Sequence, residues 1–199
     1  MNGAMFNSLA RFVERNYPQV SFSDLCQKAS LRTNVFAELT WFPDKDFEKL
    51  VEILSSQTGK EITTLWRELG KETFLYFAEI FSDYVKNITS LDEMLTTINK
   101  IHYDISKDGL GTPPRFEFKK VTGDQFAQTG KRLLVIKYTS NRNLNDFFLG
   151  MLEGAAKHFE TNVEIIGRKE RGKLVARITV KHPDMIAAWE IESRLFSLL

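Results

Sequence analysis

Apolar positions in the first hundred residues recur at helical spacing. Phe6, Leu9, Phe12 and Val13 mark one stripe, which Pro18 brings to an end. "FSDLCQKA" predicts a short helix with Ser23 as its cap. In "DKDFEKLVEILSSQTG" Phe47, Leu50, Val51 and Leu54 share a face, and Gly59 closes the element. "ITTLWRELGKETFLYFAEIFSDYV" predicts one long, aromatic helix. Along it Leu65, Leu69, Thr73, Phe77 and Phe81 form a line at a spacing of four. "SLDEMLTTINKIHYDIS" predicts a further helix, opened by a capping box of Ser90 and Glu93.

After "GLGTPPR" the period changes. "RFEFKKV" alternates, with Phe116 and Phe118 on one face, and "KRLLVIKYTS" is apolar and rich in strand formers. "LNDFFLGMLEGAAKHF" returns to helix. "NVEIIGR" and "KLVARITV" predict a hairpin through "KERG". "PDMIAAWEIESRLFSLL" predicts a last amphipathic helix, with Pro183 near its start. The order of elements predicts an α+β fold in one domain spanning residues 1–199. A helical half, about residues 1–110, packs on a half at 111–199 that holds an antiparallel sheet with one inserted helix. A cavity between the halves is the natural ligand site.

Composition narrows the function classes. Lys plus Arg number 27 against 26 Asp plus Glu, and this near balance argues against general nucleic-acid or membrane-surface binding. Cys26 is the single cysteine, so neither an internal disulfide nor a cysteine zinc cluster can form. The start "MNGAMFNSLARFVERNYP" lacks a signal-peptide core, and no apolar run approaches membrane-spanning length. A cytoplasmic protein is expected.

Only three histidines occur, and one of them falls on a face that should be buried. Ile98, Ile101 and Ile105 mark the buried stripe of their helix, and His102 follows Ile98 by one turn. A buried histidine there is either a neutral core residue bonded to a backbone carbonyl or a ligand to a metal or haem iron. His158 closes a helix, where it favours the helix dipole, and His182 lies at a strand end before Pro183. No HExxH or histidine–carboxylate triad accompanies any of them.

A second stretch, "KYTSNRN", sets Tyr138, Ser140 and Arg142 on one side if the strand persists. It is either an ordinary polar strand face or a site for one or two carboxylates, with Arg142 as the bidentate fork. Haem joins two propionates to an apolar macrocycle and matches both stretches at once.

Three segments carry a family resemblance over nearly the whole chain. "INKIHYDISKDGLGTPPRF", "YTSNRNLNDFFLGMLEGAAKHF" and "SSQTGKEITTLWRELG" resemble, in order and spacing, the haem nitric oxide/oxygen-binding family, the H-NOX domains. The resemblance implies haem b as cofactor and His102 as the proximal iron ligand. It implies that Tyr138, Ser140 and Arg142 hold the propionates and that Pro114 presses on the porphyrin. Met5, Leu9, Phe77, Phe147 and Met151 would form a distal wall without a strong donor. Oxygen-binding members carry a distal tyrosine where this chain has Phe147, and can carry an amide where it has Thr73. Gly3 and Gly70 are candidate hinges, or glycines needed for packing.

The expectation is a cytoplasmic haem-based sensor of nitric oxide, also binding carbon monoxide. It contains no nucleophile–base pair, phosphate loop or kinase motif. Resemblance to stand-alone bacterial members implies a sensor histidine kinase or a diguanylate cyclase as partner. Two alternatives stand beside it: a haem enzyme acting on nitric oxide or peroxide, and a haem-free small-ligand or interaction module of the same fold.

Overall fold

The structure, a computed structural model, describes residues 1–106, 113–121, 131–170 and 173–181. Six helices come first: α1 (Gly3–Asn16), α2 (Phe22–Lys28), α3 (Asp44–Thr58), α4 (Ile62–Ile80), α5 (Ser82–Val85) and α6 (Leu91–Ser106). They are followed by strands β1 (Arg115–Val121) and β2 (Lys131–Thr139), helix α7 (Asn145–His158), and strands β3 (Val163–Glu170) and β4 (Lys173–Lys181). The sheet is antiparallel in the order β1-β2-β4-β3. The expected α+β architecture with an inserted helix is therefore present. The expected final helix, with His182 and Pro183, and part of the "KERG" connection lie outside the described residues.

Local chemistry corrects three expectations. Helix α2 is capped by Ser21, whose side chain accepts from the Asp24 amide. Ser23 sits inside the helix, and its hydroxyl accepts from Asn34 instead. The long aromatic helix is two helices, because Phe81 leaves helical geometry at φ −104°, ψ 34°. The capping box of α6 is offset by one residue. Ser90 Oγ accepts from the Glu93 amide at 3.3 Å, but the Glu93 carboxylate reaches back to the Thr89 amide at 2.9 Å. Gly59 ends α3 as expected, at φ 68° in the left-handed region.

Two apolar cores result. One is built by α1, α2, α3 and the first turns of α4, with Phe6, Phe12, Phe47 and Leu65 almost fully enclosed. The other lies between α6, α7 and the inner face of the sheet, where Leu134, Ile136 and Tyr138 of β2 alternate inward beside Ala176 and Ile178 of β4. Helix α7 belongs to both, since Phe147 enters the first core and Phe148 the second.

Close backbone approach makes that double membership possible. A Cβ at Gly70 of α4 would collide with the Phe147 carbonyl, and one at Gly150 of α7 with the Arg67 carbonyl. Gly154 meets Lys71 and Phe74 in the same way. Gly3 is likewise pressed against the Ala37 backbone. Gly3 and Gly70 are thus packing glycines, and neither occupies a left-handed conformation.

Candidate functional site

Between the two cores lies a cavity of about 260 Å³. Its walls come from α1, the strap before α3, the end of α4, α6, β1, β2 and α7. Almost all of them are apolar. The polar groups on the lining are few, and His102, Tyr138, Ser140 and Arg142 are among them.

The fold seats His102 through its neighbours on α6. Ile101 is buried and Ile98 packs on the same core, so the helix turns this face inward. The side chain of Ile105 lies outside what the structure describes. Burial pushes the His102 pKa below its ordinary value, weakly opposed by the Pro114 backbone carbonyl. That carbonyl does not reach hydrogen-bonding geometry with Nδ1, which is buried without a partner. The imidazole is therefore neutral at physiological pH, the form that ligates a metal. No group of three or more His, Cys, Asp or Glu side chains able to hold a metal occurs among the described residues.

Two contacts fix the imidazole against the sheet. Its ring lies 5.4 Å from that of Phe116, centroid to centroid. Asn99, one turn earlier, accepts from the Phe116 amide at 3.1 Å and donates to the Phe116 carbonyl at 2.7 Å. β1 is an edge strand, so this side chain stands where a neighbouring strand's backbone would be. Phe116 in turn packs on Tyr138 and Phe148, which stack at 4.5 Å with planes 8° apart.

Tyr138, Ser140 and Arg142 all line the cavity, though by a route the sequence did not predict. Strand β2 ends at Thr139, so only Tyr138 is placed by strand alternation. Ser140 and Arg142 follow in the turn into α7, where Ser140 Oγ accepts from the Arg142 amide at 3.2 Å. Burial raises the Tyr138 pKa, opposed by Ser140 and by the positive charge of Arg142, so the phenol remains a donor. Arg142 Nε donates to Asp44 Oδ2 at 2.6 Å, and its guanidinium lies 5.8 Å from the Trp41 ring centroid. Asp44 also accepts from the Met1 ammonium at 2.5 Å. Burial alone would raise the Asp44 pKa; these two cationic partners outweigh it and lower the value.

The remaining expected residues divide. Met5, Phe77, Phe147, Met151 and Pro114 line the cavity. Leu9 does not. It is wholly buried in the first core, one helical turn behind the Met5 wall. Thr73 is also buried away from the cavity, and its hydroxyl stands 2.9 Å from Ser8 Oγ. Ser8 donates its own proton to the Met5 carbonyl at 2.8 Å, so Thr73 is the donor in that pair. His158 is on the surface, edge-on to Phe159. Cys26 is a buried free thiol whose pKa desolvation pushes up to about 11, only partly offset by a backbone hydrogen bond.

Sequence reasoning missed Asn99, Asp44 and Trp41. The signal for Asn99 was a weak helix former in mid-helix, one turn ahead of the histidine. Asp44 and Trp41 gave no signal, because their roles come from contacts across the chain.

A two-part α+β domain thus encloses an apolar cavity lined by one buried imidazole and by the side chains of Tyr138, Ser140 and Arg142. The chain matches the haem-NO-binding family over residues 2–166, and it belongs to that family, whose cofactor is haem. Among solved structures it resembles an H-NOX protein from S. oneidensis in the Fe(II) ligation state, with a TM-score of 0.82 at 18% identity, covering 92% of this chain and 97% of that one. It also resembles an oxygen-binding H-NOX domain related to soluble guanylate cyclases, with a TM-score of 0.74 at 22% identity, covering 91% and 94%. Soluble guanylate cyclase 89Db of Drosophila melanogaster is 22% identical over 164 residues, 80% of this chain and 23% of that protein. The chain thus spans about a quarter of the length of that curated relative. Among the described residues no helix is long and apolar enough to cross a membrane.

Proposed function

We propose that this chain is a haem-based gas sensor domain that binds nitric oxide and carbon monoxide and signals to a partner protein in the cytoplasm. The observation that carries the reading is the neutral, buried imidazole of His102 on an apolar cavity that Tyr138, Ser140 and Arg142 also line. The residues present fit haem. His102 would ligate the iron, the three donors would receive the propionates, and Pro114, Phe116 and Phe148 would pack against the macrocycle. When bound, the iron supplies a reversible site for a diatomic gas.

The chain's own residues do the rest. Met5, Phe77, Phe147 and Met151 keep water and hydrogen-bond donors away from the distal side. Tyr138 and Arg142 orient the group by its carboxylates. His102 is tied to β1 through Phe116 and Asn99, so any change in the restraint on the imidazole is felt by α6 and the sheet edge together. That is the element a partner would read, through different affinities in the two ligand states. Support for a sensor histidine kinase or diguanylate cyclase as partner comes from the resemblance to stand-alone bacterial members. No turnover is assigned to the domain itself, since no nucleophile–base pair lines the cavity among the described residues.

The visible spectrum of the reduced protein, alone and with nitric oxide, carbon monoxide or air, tests the reading. Expected is a ferrous haem with one protein ligand that takes up both nitric oxide and carbon monoxide. Protein that stays colourless after haem addition would overturn it, and steady consumption of peroxide or nitric oxide would replace it with an enzyme.

A further inference from the structure

We propose that the outer face of the sheet is a docking surface for residues 183–199 of the same chain, seated across β2 and β4 as an amphipathic helix. The inward positions of these strands belong to the second core. The outward positions of an antiparallel sheet are polar where water covers them. Here Leu133 and Val135 of β2, Val175 of β4 and Ile166 of β3 stand outward, and none of the four belongs to either core. The register gathers them in one patch, since Val135 and Ile166 flank Arg177 of β4 from opposite sides. The run "LLVI" at residues 133–136 is thus apolar toward both faces, the pattern of a strand covered on both. Val175 is only 5% exposed and Ile166 is 47% exposed, so the middle of the patch is dry while its flank is open.

Reach, length and charge choose the occupant. β4 is a middle strand of this face and ends at Lys181, one residue before the segment begins. So short a tether gives an effective concentration on the order of millimolar, which favours the segment over a separate molecule. As a helix, residues 183–199 would span about 25 Å, against about 30 Å for the nine-residue strands β2 and β4. Met185, Trp189 and Phe196 fall on one helical stripe. Glu192 falls on the same stripe, three residues after Trp189 and four before Phe196. A carboxylate on an apolar helix face needs a cation opposite it. The sheet provides several: Lys119, Arg168, Lys173 and Arg177 stand outward with Glu164, while Glu117 is paired with Lys137 at 3.5 Å. The segment has the complementary balance, with Asp184, Glu190 and Glu192 against Arg194.

The test places a thiol on this face of the full chain. Val135→Cys is nearly isosteric, and Cys26 is buried with a raised pKa, so the new thiol alone reports to a water-soluble disulfide reagent. Thr179→Cys, outward on β4, is a second reporter should the first fail to fold. Expected is slow labelling in the full chain. Adding Trp189→Asp or Glu192→Lys should accelerate it about tenfold or more, because labelling follows the fraction of time the face is uncovered. Glu192→Gln, which loses the charge but keeps the length, should fall between. The same labelling rate in every variant, with circular dichroism unchanged, would overturn the proposal. So would protection that grows with protein concentration, since a second copy and not the chain's own segment would then cover the face.

Discussion

Arg142 and Asp44, 98 residues apart in the chain, are joined by a 2.6 Å hydrogen bond from Nε to Oδ2 that ties the turn after β2 to the first residue of α3. The pair spans the two halves at the polar end of the cavity. Both side chains keep some exposure, 21% for Arg142 and 36% for Asp44, so solvent screens part of its strength. On the proposed haem reading Arg142 would have two roles, and its replacement should show both. Arg142→Ala is expected to lower haem retention more than Ser140→Ala does. A charge-assisted bond contributes about 1.5–3 kcal/mol, against roughly 1 kcal/mol for a neutral hydroxyl. Haem occupancy after competition with apomyoglobin measures the order. Asp44→Asn should loosen the junction by about 0.5–1 kcal/mol in urea unfolding, a partly exposed ion pair's usual contribution. Equal occupancy in wild type and a Tyr138/Ser140/Arg142 triple alanine variant would remove the carboxylate clamp.

His102 makes a prediction about acid. Its folded pKa lies below the ordinary 6.5, because burial disfavours the charged ring. As pH falls past 6.5, the unfolded chain binds a proton that the folded apo-protein still refuses. The stability is full above that point and declines as pH drops toward the folded value. Asp44 acts with the same sign but lower, losing its contribution only as pH falls below 3.8 and through its depressed folded value. Urea midpoints of the apo-protein between about pH 8 and about pH 5 should therefore fall, and His102→Gln should flatten that slope. A variant with the parent's slope would show that this imidazole is not the group held neutral. In the haem-loaded protein, His102→Gly should lose the iron–histidine stretch in resonance Raman, and free imidazole should restore a histidine-like ferrous spectrum.

Asn99 should matter out of proportion to its type. Its amide side chain satisfies both backbone groups of Phe116, whose ring lies against His102. Asn99→Ala leaves a donor and an acceptor at the sheet edge to find water, at an expected cost of about 1–3 kcal/mol if they stay buried. The sharper expectation is spectroscopic. With α6 no longer pinned to β1, the iron–histidine stretch of the ferrous protein should broaden or shift. Asn99→Asp keeps the acceptor for the Phe116 amide and should recover part of the effect. An unchanged stretch in Asn99→Ala would mean that α6 is positioned by packing alone.

How far the sequence could be read followed from the range of the interactions. Periodicity located the stripes of α1, α3 and α6 and the alternation in β1 and β2, because those patterns are written within each element. It also put His102 on an inward face. It misplaced the cap of α2 because both Ser21 and Ser23 are good cap residues, and only the path of the chain before Phe22 chooses between them. It ran α4 through Phe81 because neither proline nor glycine marks the break. Ser140 and Arg142 were rightly grouped with Tyr138, but the turn after Thr139 sets their direction. The glycine contacts between α4 and α7, the Arg142–Asp44 pair and the Asn99 clamp all join distant segments, and single-chain periodicity carries no trace of them. Leu9 was counted into the wall by the family resemblance; in the fold it sits one turn too deep, in the first core.

Gas choice turns on what can donate a hydrogen bond to the distal ligand, and Thr73 was the main threat to an apolar wall. Its hydroxyl is used by Ser8 at 2.9 Å, and Ser8 is used by the Met5 carbonyl. Thr73→Val should therefore cost stability, about 0.5–1.5 kcal/mol for a buried hydrogen bond, without altering ligand preference. Phe147 does face the cavity, held edge-on to Trp66 at 6.2 Å. A distal donor aids dioxygen binding at ferrous haem more than that of nitric oxide or carbon monoxide, so on the proposed reading a wall of Met5, Phe77, Phe147 and Met151 would favour the latter two. Reduced wild-type protein mixed with air-saturated buffer should show no lasting oxygenated spectrum while still binding both other gases. Phe147→Tyr adds one hydroxyl at nearly constant volume and should raise dioxygen affinity by up to about tenfold, the equivalent of one good buried hydrogen bond. The same change at Phe77 supplies a control, since a gain there of equal size would mean that any donor in the cavity suffices. A long-lived oxygenated spectrum in the wild type would refute the selectivity, and because Thr73 is already committed to Ser8, the donor responsible would then have to be sought elsewhere on the cavity wall.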